Sequence, residues 1–168
     1  MTGPQISEIS AQDSTVQKAL LDLNNAHAKE TSALSRGEWR NLVGNAFAAS
    51  CIENAAFLIA FDQNADYDNA NFNWFRARYD RFIYVDRIVV SSDLRGTGAA
   101  QTLYDDLFHR CNETGHDWVV CEVNIDPPNP GSDAFHKKFG FVEVGVTKLA
   151  DRDKTVRYLA CRVQQAAG

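Results

Sequence analysis

The sequence predicts an α/β (α+β) fold built on a central sheet of about seven strands. Two observations support this prediction. Seven segments have the apolar alternation or the β-branched and aromatic content typical of strands, namely residues 5–10, 47–52, 55–61, 81–90, 116–125, 141–149 and 155–163. Segments with helical spacing lie between several of them, and one follows a glycine-rich turn directly after the most apolar strand.

Length and composition favour one globular domain over residues 1–168. Hydrophobic residues make up 45% of the chain and charged residues 23%, which are ordinary values for a protein with a packed core. The net charge of −5 disfavours nucleic acid as a partner and weakly favours a cationic or amine-bearing substrate. No apolar stretch approaches the roughly 18 residues of a membrane span, so we expect a cytoplasmic protein without a membrane partner.

The cysteines and histidines do not have the spacing of a metal site. The four cysteines are far apart in sequence and form no Cys-x-x-Cys pair, which indicates buried, reduced thiols. His27, His109 and His116 have no cysteine or carboxylate partners at ligand spacing. We therefore expect no metal.

The N-terminal part of the chain predicts two helices. Asp13 or Ser14 can cap a helix that runs to about Ala28. Ser35 and Glu38 have the spacing of a capping box, which predicts a second helix after Ser35.

Residues 62–80 combine many Asn and Asp residues with aromatic side chains. This composition predicts an ordered loop, with at most one helical turn, over a functional surface. Tyr67, Trp74 and Phe75 are the candidates for a substrate-binding wall. The alternative is that these rings fill a satellite core.

The segment from Arg95 to Gln101 has the features of a phosphate-binding turn. Strand 81–90 ends just before it, and a helix is predicted from about Gly98 to Glu113. Backbone N–H groups exposed at the start of that helix would attract an anion such as a pyrophosphate. The segment reads Arg95-Gly96-Thr97-Gly98-Ala99-Ala100. Its glycines allow close approach of the backbone to phosphate, and its alanines leave room at the start of the helix.

Other phosphate-binding motifs fit this segment less well. A P-loop needs a Gly-Lys-Ser/Thr triplet, which the chain lacks. A dinucleotide fingerprint needs a third glycine where the chain has Gln101. A nucleotide-binding domain of another class is therefore disfavoured.

A second segment, residues 129–141, predicts a short helix followed by a strand. Ser132 can cap the helix, and Phe135 and Phe139 share its inner face. Gly140 is a natural C-terminal stop. His136 follows a buried position and is expected to face a cleft.

The two segments together resemble the signatures of the GNAT (Gcn5-related N-acetyltransferase) superfamily. Residues 95–100 match Arg/Gln-x-x-Gly-x-Gly/Ala, and residues 129–141 match Asn-x-x-Ala/Ser-x-x-Phe/Leu-Tyr/His-x-x-x-Gly-Phe. The resemblance implies a mixed, mostly antiparallel sheet that is splayed in the middle, with helices on both faces. It also implies transfer of an acetyl group from acetyl-CoA to a primary amine of a small molecule, an amino acid or a peptide N-terminus, by direct attack. It allows a homodimer and calls for no metal.

The resemblance assigns coenzyme A to two parts of the chain. The strand backbone at Ile88, Val89 and Val90 would hydrogen-bond the pantetheine arm. The turn would bind the pyrophosphate through Arg95, Gly96, Thr97, Gly98, Ala99, Ala100 and Gln101, with Asn129 nearby.

Three residues are candidates for the chemistry. Glu122 lies mid-strand, where a carboxylate is costly unless it is paired or faces a cleft, and the resemblance to ribosomal-protein N-terminal acetyltransferases implies a general base. The alternatives are a salt bridge to Arg87 or a surface-facing side chain. Asp86 competes with Glu122 as the base. His136 stands where the family usually has a tyrosine that protonates the leaving thiolate, and its alternative is an ordinary partly buried histidine.

A second function is compatible with the same motifs. A GNAT fold can bind coenzyme A as a sensor or scaffold without catalysing transfer. The loop at 95–100 does not separate the two functions, whereas Glu122 and His136 favour an enzyme.

Overall fold

The computed structural model describes residues 4–29, 31–126, 128–149 and 153–164, and over these ranges the chain forms one seven-stranded sheet and five α-helices. The strands are β1 (Ile6–Glu8), β2 (Ala48–Ile52), β3 (Ala56–Asp62), β4 (Phe82–Val90), β5 (Trp118–Asp126), β6 (Val142–Leu149) and β7 (Lys154–Arg162). The helices are α1 (Ser14–Ala26), α2 (Arg36–Asn45), α3 (Ala70–Arg76), α4 (Ala99–Thr114) and α5 (Pro130–Phe139).

The sheet is mixed and mostly antiparallel, as predicted. Its order is β1-β2-β3-β4-β5-β7-β6, and β4 with β5 is the parallel pair in the middle. These two strands pair only from Phe82 opposite Trp118 to Tyr84 opposite Val120. Beyond that point they diverge, which confirms the predicted splay and opens the centre of the sheet.

Apolar side chains pack on both faces of the sheet and form two cores. One core joins the sheet to α1, α2 and α3 through residues such as Leu20, Trp39 and Phe72. The other joins it to α4 and α5, with Leu103 buried in it and the partly buried Phe139 packed against it. Helices therefore cover both faces, and the splayed edge of β4 lies between them. Within the described ranges, no helix is long and apolar enough to cross a bilayer.

The helix starts follow the capping residues closely. Asp13 caps α1 by accepting a hydrogen bond from the backbone N–H of Val16 at 2.9 Å. Ser35 and Glu38 form both hydrogen bonds of the predicted capping box. The prediction for α5 was wrong by one turn, since Asn129 rather than Ser132 is its N-cap.

Two further elements differ from the prediction. The first strand is shorter than residues 5–10, because the chain turns at Ile9 to bury that side chain completely. Residues 62–80 contain a two-turn helix, α3, where at most one turn was expected. Asn69 caps it by accepting from the N–H groups of Asn71 and Phe72, and the helix buries Phe72 and Phe75 on one side.

A β-bulge lies in β4 at the opening of the splay. Arg87 pairs with Ile59, whereas the next residue of β3, Ala60, pairs with Val85, so Asp86 is the extra residue. A bulge changes the face to which the following side chains point. Tyr84 consequently packs in the core of α1 to α3, whereas Ile88 packs on the side of α4 and α5.

Candidate active site

A cleft of about 640 Å³ lies where β4 ends and α4 begins, and we call it the loop-side cleft. Gly96 and Gly98 adopt φ of 77° and 85°, which favours glycine, and Gly98 is the N-cap of α4. The predicted residues that line the cleft are Ile88, Val89, Val90, Arg95, Gly96, Gly98, Ala99, Ala100, Gln101 and Asn129. Thr97 is not among the lining residues, and its hydroxyl donates to the carbonyl of Leu94 at 2.5 Å.

Asn129 lines the cleft and is also the N-cap of α5. Its side-chain oxygen accepts a hydrogen bond from the N–H of Ser132 at 3.4 Å and so starts α5. This helix in turn carries His136 toward the splay.

A cavity of about 90 Å³ lies between the diverging strands, and we call it the gap. It shares Ile88, Ser132 and His136 with the loop-side cleft. All three candidates for the chemistry line it, namely Asp86, Glu122 and His136. The fold thus brings together residues that lie up to fifty positions apart in sequence.

The carboxylate of Glu122 is oriented by two hydrogen bonds. Oε1 accepts from the side-chain amide of Asn71 at 3.1 Å, and Oε2 accepts from the Tyr84 hydroxyl at 2.7 Å. Asn71 is itself fixed, because its oxygen accepts from the Tyr158 hydroxyl at 2.8 Å. Burial raises the pKa of Glu122 to about 7, the hydrogen bonds oppose that rise, and the nearby charge of Asp86 adds to it.

Asp86 is held in a different electrostatic environment. Its Oδ2 atom lies 2.8 Å from Nε of Arg87, and its Oδ1 atom accepts from the Tyr67 hydroxyl at 2.5 Å. Both partners of the ion pair are almost fully buried, with side chains 6% exposed for Arg87 and 4% for Asp86. Arg87 therefore pairs with Asp86, and the alternative of a Glu122–Arg87 salt bridge is not formed.

The Asp86–Arg87 pair predicts a large loss of stability when one partner is removed. Arg87→Met leaves a buried carboxylate without its counter-ion and removes hydrogen bonds to Asn24 and Ser32. We expect the free energy of unfolding, measured by urea titration, to fall by about 3–5 kcal/mol. Arg110→Met is the control. The Arg110 side chain is 27% exposed, so the loss of its ion pairs should cost at most about 1 kcal/mol. Equal losses for the two variants would contradict the prediction.

His136 lines the gap although it is only 4% exposed. Its Nδ1 atom lies 2.7 Å from the carbonyl oxygen of Ser132, so Nδ1 carries a proton and donates. Its Nε2 atom carries no proton in the neutral ring, and it accepts a hydrogen bond from the Tyr104 hydroxyl at 2.7 Å. Burial lowers the pKa of His136, against the effect of the hydrogen bond to Ser132.

A third cavity of about 310 Å³ adjoins the gap on the side of α2 and α3, and we call it the acidic chamber. The gap and the chamber share Asp86, Arg87 and Glu122. Of the three predicted wall residues, Tyr67 lines the chamber. Phe75 is completely buried, and Trp74 stacks on Tyr158 with ring centroids 4.2 Å apart, so both belong to the packing behind it.

Sequence reasoning missed three residues of the site. Tyr84 and Asn71 hold Glu122, and Tyr104 bonds to His136. Tyr84 lies at an apolar core position of a strand, and Tyr104 at one of a helix. A buried tyrosine hydroxyl needs a hydrogen-bond partner, and this need was the signal in the sequence that could have identified them.

The described residues contain no group of three or more His, Cys, Asp or Glu side chains arranged to hold a metal ion. The cysteines in the same ranges are free thiols, and Cys121 lines the gap next to Glu122. Burial raises the pKa of the Cys121 thiol well above its usual range.

Comparison with known proteins identifies relatives by sequence family and by fold. A family model described as the acetyltransferase (GNAT) family matches residues 34–141. No curated protein matches the sequence.

Many solved structures share the fold at low sequence identity. One is the NatC complex bound to Gag peptide and CoA, with 13% identity, a TM-score of 0.72, and 97% of this chain and 100% of that chain covered. Another is the ribosomal-protein-S18-alanine N-acetyltransferase from Escherichia coli, with 18% identity, a TM-score of 0.67, and 98% and 96% covered. A third is an aminoglycoside 6'-N-acetyltransferase complexed with coenzyme A, with 16% identity, a TM-score of 0.68, and 98% and 99% covered.

Proposed function

Because the chain belongs to the GNAT family of acetyltransferases, we propose that residues 1–168 form one acetyl-CoA-dependent N-acetyltransferase domain that acetylates a primary amine by direct attack. The observation that carries this proposal is the continuity of three spaces. The loop-side cleft, the gap and the acidic chamber share lining residues, and Glu122 lies between the gap and the chamber. A donor in the cleft and an acceptor in the chamber would therefore meet beside a carboxylate.

The cleft has the groups that coenzyme A requires. The turn at 95–100 and the start of α4 present backbone N–H groups at a positive helix end, which suits the pyrophosphate. Beyond Tyr84, β4 has no strand partner on its β5 side among the described residues. The backbone at Ile88 and Val90 is therefore available to hydrogen-bond the pantetheine arm as an added strand would. Coenzyme A supplies the acetyl thioester, and the residues of the protein position it.

Glu122 is the proposed general base. A base works best when its pKa lies near the working pH, and burial brings the pKa of Glu122 to about 7. Asp86 is the weaker candidate, because its carboxylate is engaged by Arg87 and Tyr67. In the proposed reaction the bound ammonium group gives a proton to Glu122, and the amine nitrogen so formed bonds to the thioester carbon. The carbon–sulfur bond then breaks, and the second proton of the nitrogen passes to solvent.

The leaving sulfur needs a proton, and His136 remains the proposed source. The Nδ1–H group of His136 donates to the carbonyl of Ser132 and is not available for transfer. The available proton is that of the Tyr104 hydroxyl, which is hydrogen-bonded to Nε2. We propose that the Tyr104–His136 pair protonates the thiolate as a unit: the hydroxyl proton of Tyr104, which lies against Nε2, goes to the sulfur and leaves a tyrosinate beside the neutral imidazole. The proton that Glu122 receives from the amine replaces the one lost, through solvent.

Direct attack is favoured over an acetyl-enzyme intermediate. Cys121 is the thiol in the gap, and a covalent route would need its thiolate. Burial raises the pKa of Cys121 far above neutrality and removes that nucleophile. The amine is therefore the group that attacks.

The test of the proposed function is a thiol-release assay. Purified protein and acetyl-CoA are mixed with a panel of primary amines that includes small molecules, amino acids and peptides, and free coenzyme A is measured with a thiol reagent. The proposal predicts release that depends on the amine and saturates. Tight acetyl-CoA binding without release above hydrolysis for any amine would instead favour a coenzyme A sensor.

The pKa of Glu122 predicts the pH profile of the reaction. The base acts in its ionised form, so kcat/KM should rise about tenfold per pH unit below pH 7 and level off above about pH 8. Initial rates at low substrate concentration in buffers from pH 5.5 to 9 measure this profile. A flat profile across pH 6 to 8 would show that Glu122 is not the titrating base. The cytoplasmic location and the homodimer remain predictions.

A further inference from the structure

We infer that the acceptor is a compact primary amine with a second cationic group, which Glu38 and Asp68 bind in the acidic chamber. The inference rests on the proposed function, because it places the acceptor on the chamber side of Glu122. The chamber, rather than the cleft, is the space left for an acceptor when the donor occupies the glycine-rich turn.

The chamber has an excess of negative charge. Among the residues that the structure describes, four carboxylates line it, those of Glu38, Asp68, Asp86 and Glu122. Arg87 is the one cation among the described residues of the lining, and its guanidinium forms an ion pair with Asp86. Glu38, Asp68 and Glu122 have no salt-bridge partner among the described residues. A cationic ligand would supply the missing charge.

In the described part of the chain, Glu38 and Asp68 each have one carboxylate oxygen in a hydrogen bond and one oxygen free to bind a ligand. Oε1 of Glu38 accepts from the backbone N–H of Ser35 at 3.0 Å, and Oδ1 of Asp68 accepts from the side-chain amide of Asn73 at 2.9 Å. The second oxygen of each carboxylate makes no hydrogen bond within the part of the chain that the structure describes. Preorganised carboxylates lose little side-chain entropy when a cation binds.

The remaining lining favours a small polar molecule over an apolar one. Leu34 and Leu42 are its aliphatic side chains, and Leu42 is buried. Hydroxyl and amide groups from Thr31, Ser32, Asn41, Tyr67, Asn69 and Asn71 make up most of the rest. With a volume of about 310 Å³, the chamber suits a short diamine better than a peptide with a large apolar N-terminal side chain.

The experiment compares α,ω-diaminoalkanes of three to five carbons with n-alkylamines of equal length. Glu38 and Asp68 are both exposed, so each ion pair with the second ammonium group contributes modestly. In the wild type, kcat/KM for the best diamine should exceed that of the matched monoamine by about three- to tenfold. The double variant Glu38→Gln/Asp68→Asn should lose this preference, because its kcat/KM falls further for the diamine than for the monoamine until the two are about equal. Gln at position 38 keeps the capping box, so the fold of α2 is preserved.

The control is the double variant Glu113→Gln/Asp22→Asn, which makes the same charge change at side chains 63% exposed and outside the chamber. It should keep the diamine preference. Equal kcat/KM for diamine and monoamine in the wild type, or a parallel loss for both amines in the chamber variant, would overturn the inference.

A binding measurement separates this inference from the proposed function. Calorimetric titration of diamine into protein saturated with coenzyme A needs no turnover. Diamine binding that the chamber variant loses, without thiol release in the wild type, would support the chamber as a diamine site and reject the transferase. Thiol release with other amines but no diamine binding would support the transferase and reject the diamine site.

Discussion

Replacing Glu122 by Gln is expected to lower kcat/KM by about 10²- to 10⁴-fold, the usual contribution of a general base. The carboxylate lies between the gap and the acidic chamber, held by Asn71 and Tyr84, and its pKa is about 7. Glutamine has a similar shape, but its amide oxygen can accept only one of these two hydrogen bonds, and it cannot accept a proton at neutral pH. Steady-state thiol release with the best amine of the panel measures the loss, and the dependence of the remaining rate on pH should flatten.

The variant should remain folded and should bind acetyl-CoA as the wild type does. A carboxyl group whose pKa is raised on folding stabilises the protein below its unfolded pKa, and that contribution is lost as pH rises through the folded pKa of about 7. At pH 8, Glu122→Gln should therefore unfold at the same temperature as the wild type or higher. A fully active Glu122→Gln variant together with an inactive but folded Asp86→Asn variant would assign the base to Asp86.

Replacing Gly98 by Glu is expected to weaken acetyl-CoA binding by at least about 100-fold. Gly98 has φ of 85° at the N-cap of α4, where a side chain is strained, and the new carboxylate would stand in the site proposed for the pyrophosphate. A Cβ at this position meets no protein atom within 4 Å, so the side chain can enter the cleft without disturbing the core. Isothermal titration with acetyl-CoA measures the change.

Two control variants separate charge from strain. Gly98→Ala has the strained backbone without the charge and should lose much less affinity. Gly44→Glu adds the same charge at an exposed position of α2 where a Cβ also meets nothing within 4 Å, and it should bind normally. If Gly98→Glu bound acetyl-CoA as tightly as Gly44→Glu, the turn would not be the pyrophosphate site.

Much of the fold was predictable because its signals are local. Asp13, Ser35 and Glu38 mark helix starts through hydrogen bonds within three or four residues. The glycine-rich turn and the apolar strand before it are also recognisable from neighbouring residues alone, and both were confirmed. Helix α3 was mistaken for a loop because its Asn residues disfavour a helix interior, whereas the packing of Phe72 and Phe75 on the sheet stabilises it.

The detailed site depends on contacts that are distant in sequence. The bulge at Asp86 arises from pairing with β3, and it determines which face each side chain of β4 occupies. The bonds from Tyr84 to Glu122 and from Tyr104 to His136 span 38 and 32 residues. Sequence patterns report which residues are apolar or polar, but they do not report which buried hydroxyl meets which carboxylate or imidazole. The sequence therefore named candidate residues but not the hydrogen-bond partners that hold them.

A crystal structure of the protein with bound coenzyme A tests the central claim most directly. The account predicts the pyrophosphate on the backbone N–H groups of residues 95–100, the pantetheine arm along the unpaired edge of β4 at Ile88 to Val90, and the sulfur in the gap beside Glu122. Coenzyme A bound outside the loop-side cleft, or with its sulfur away from both Glu122 and His136, would contradict the account.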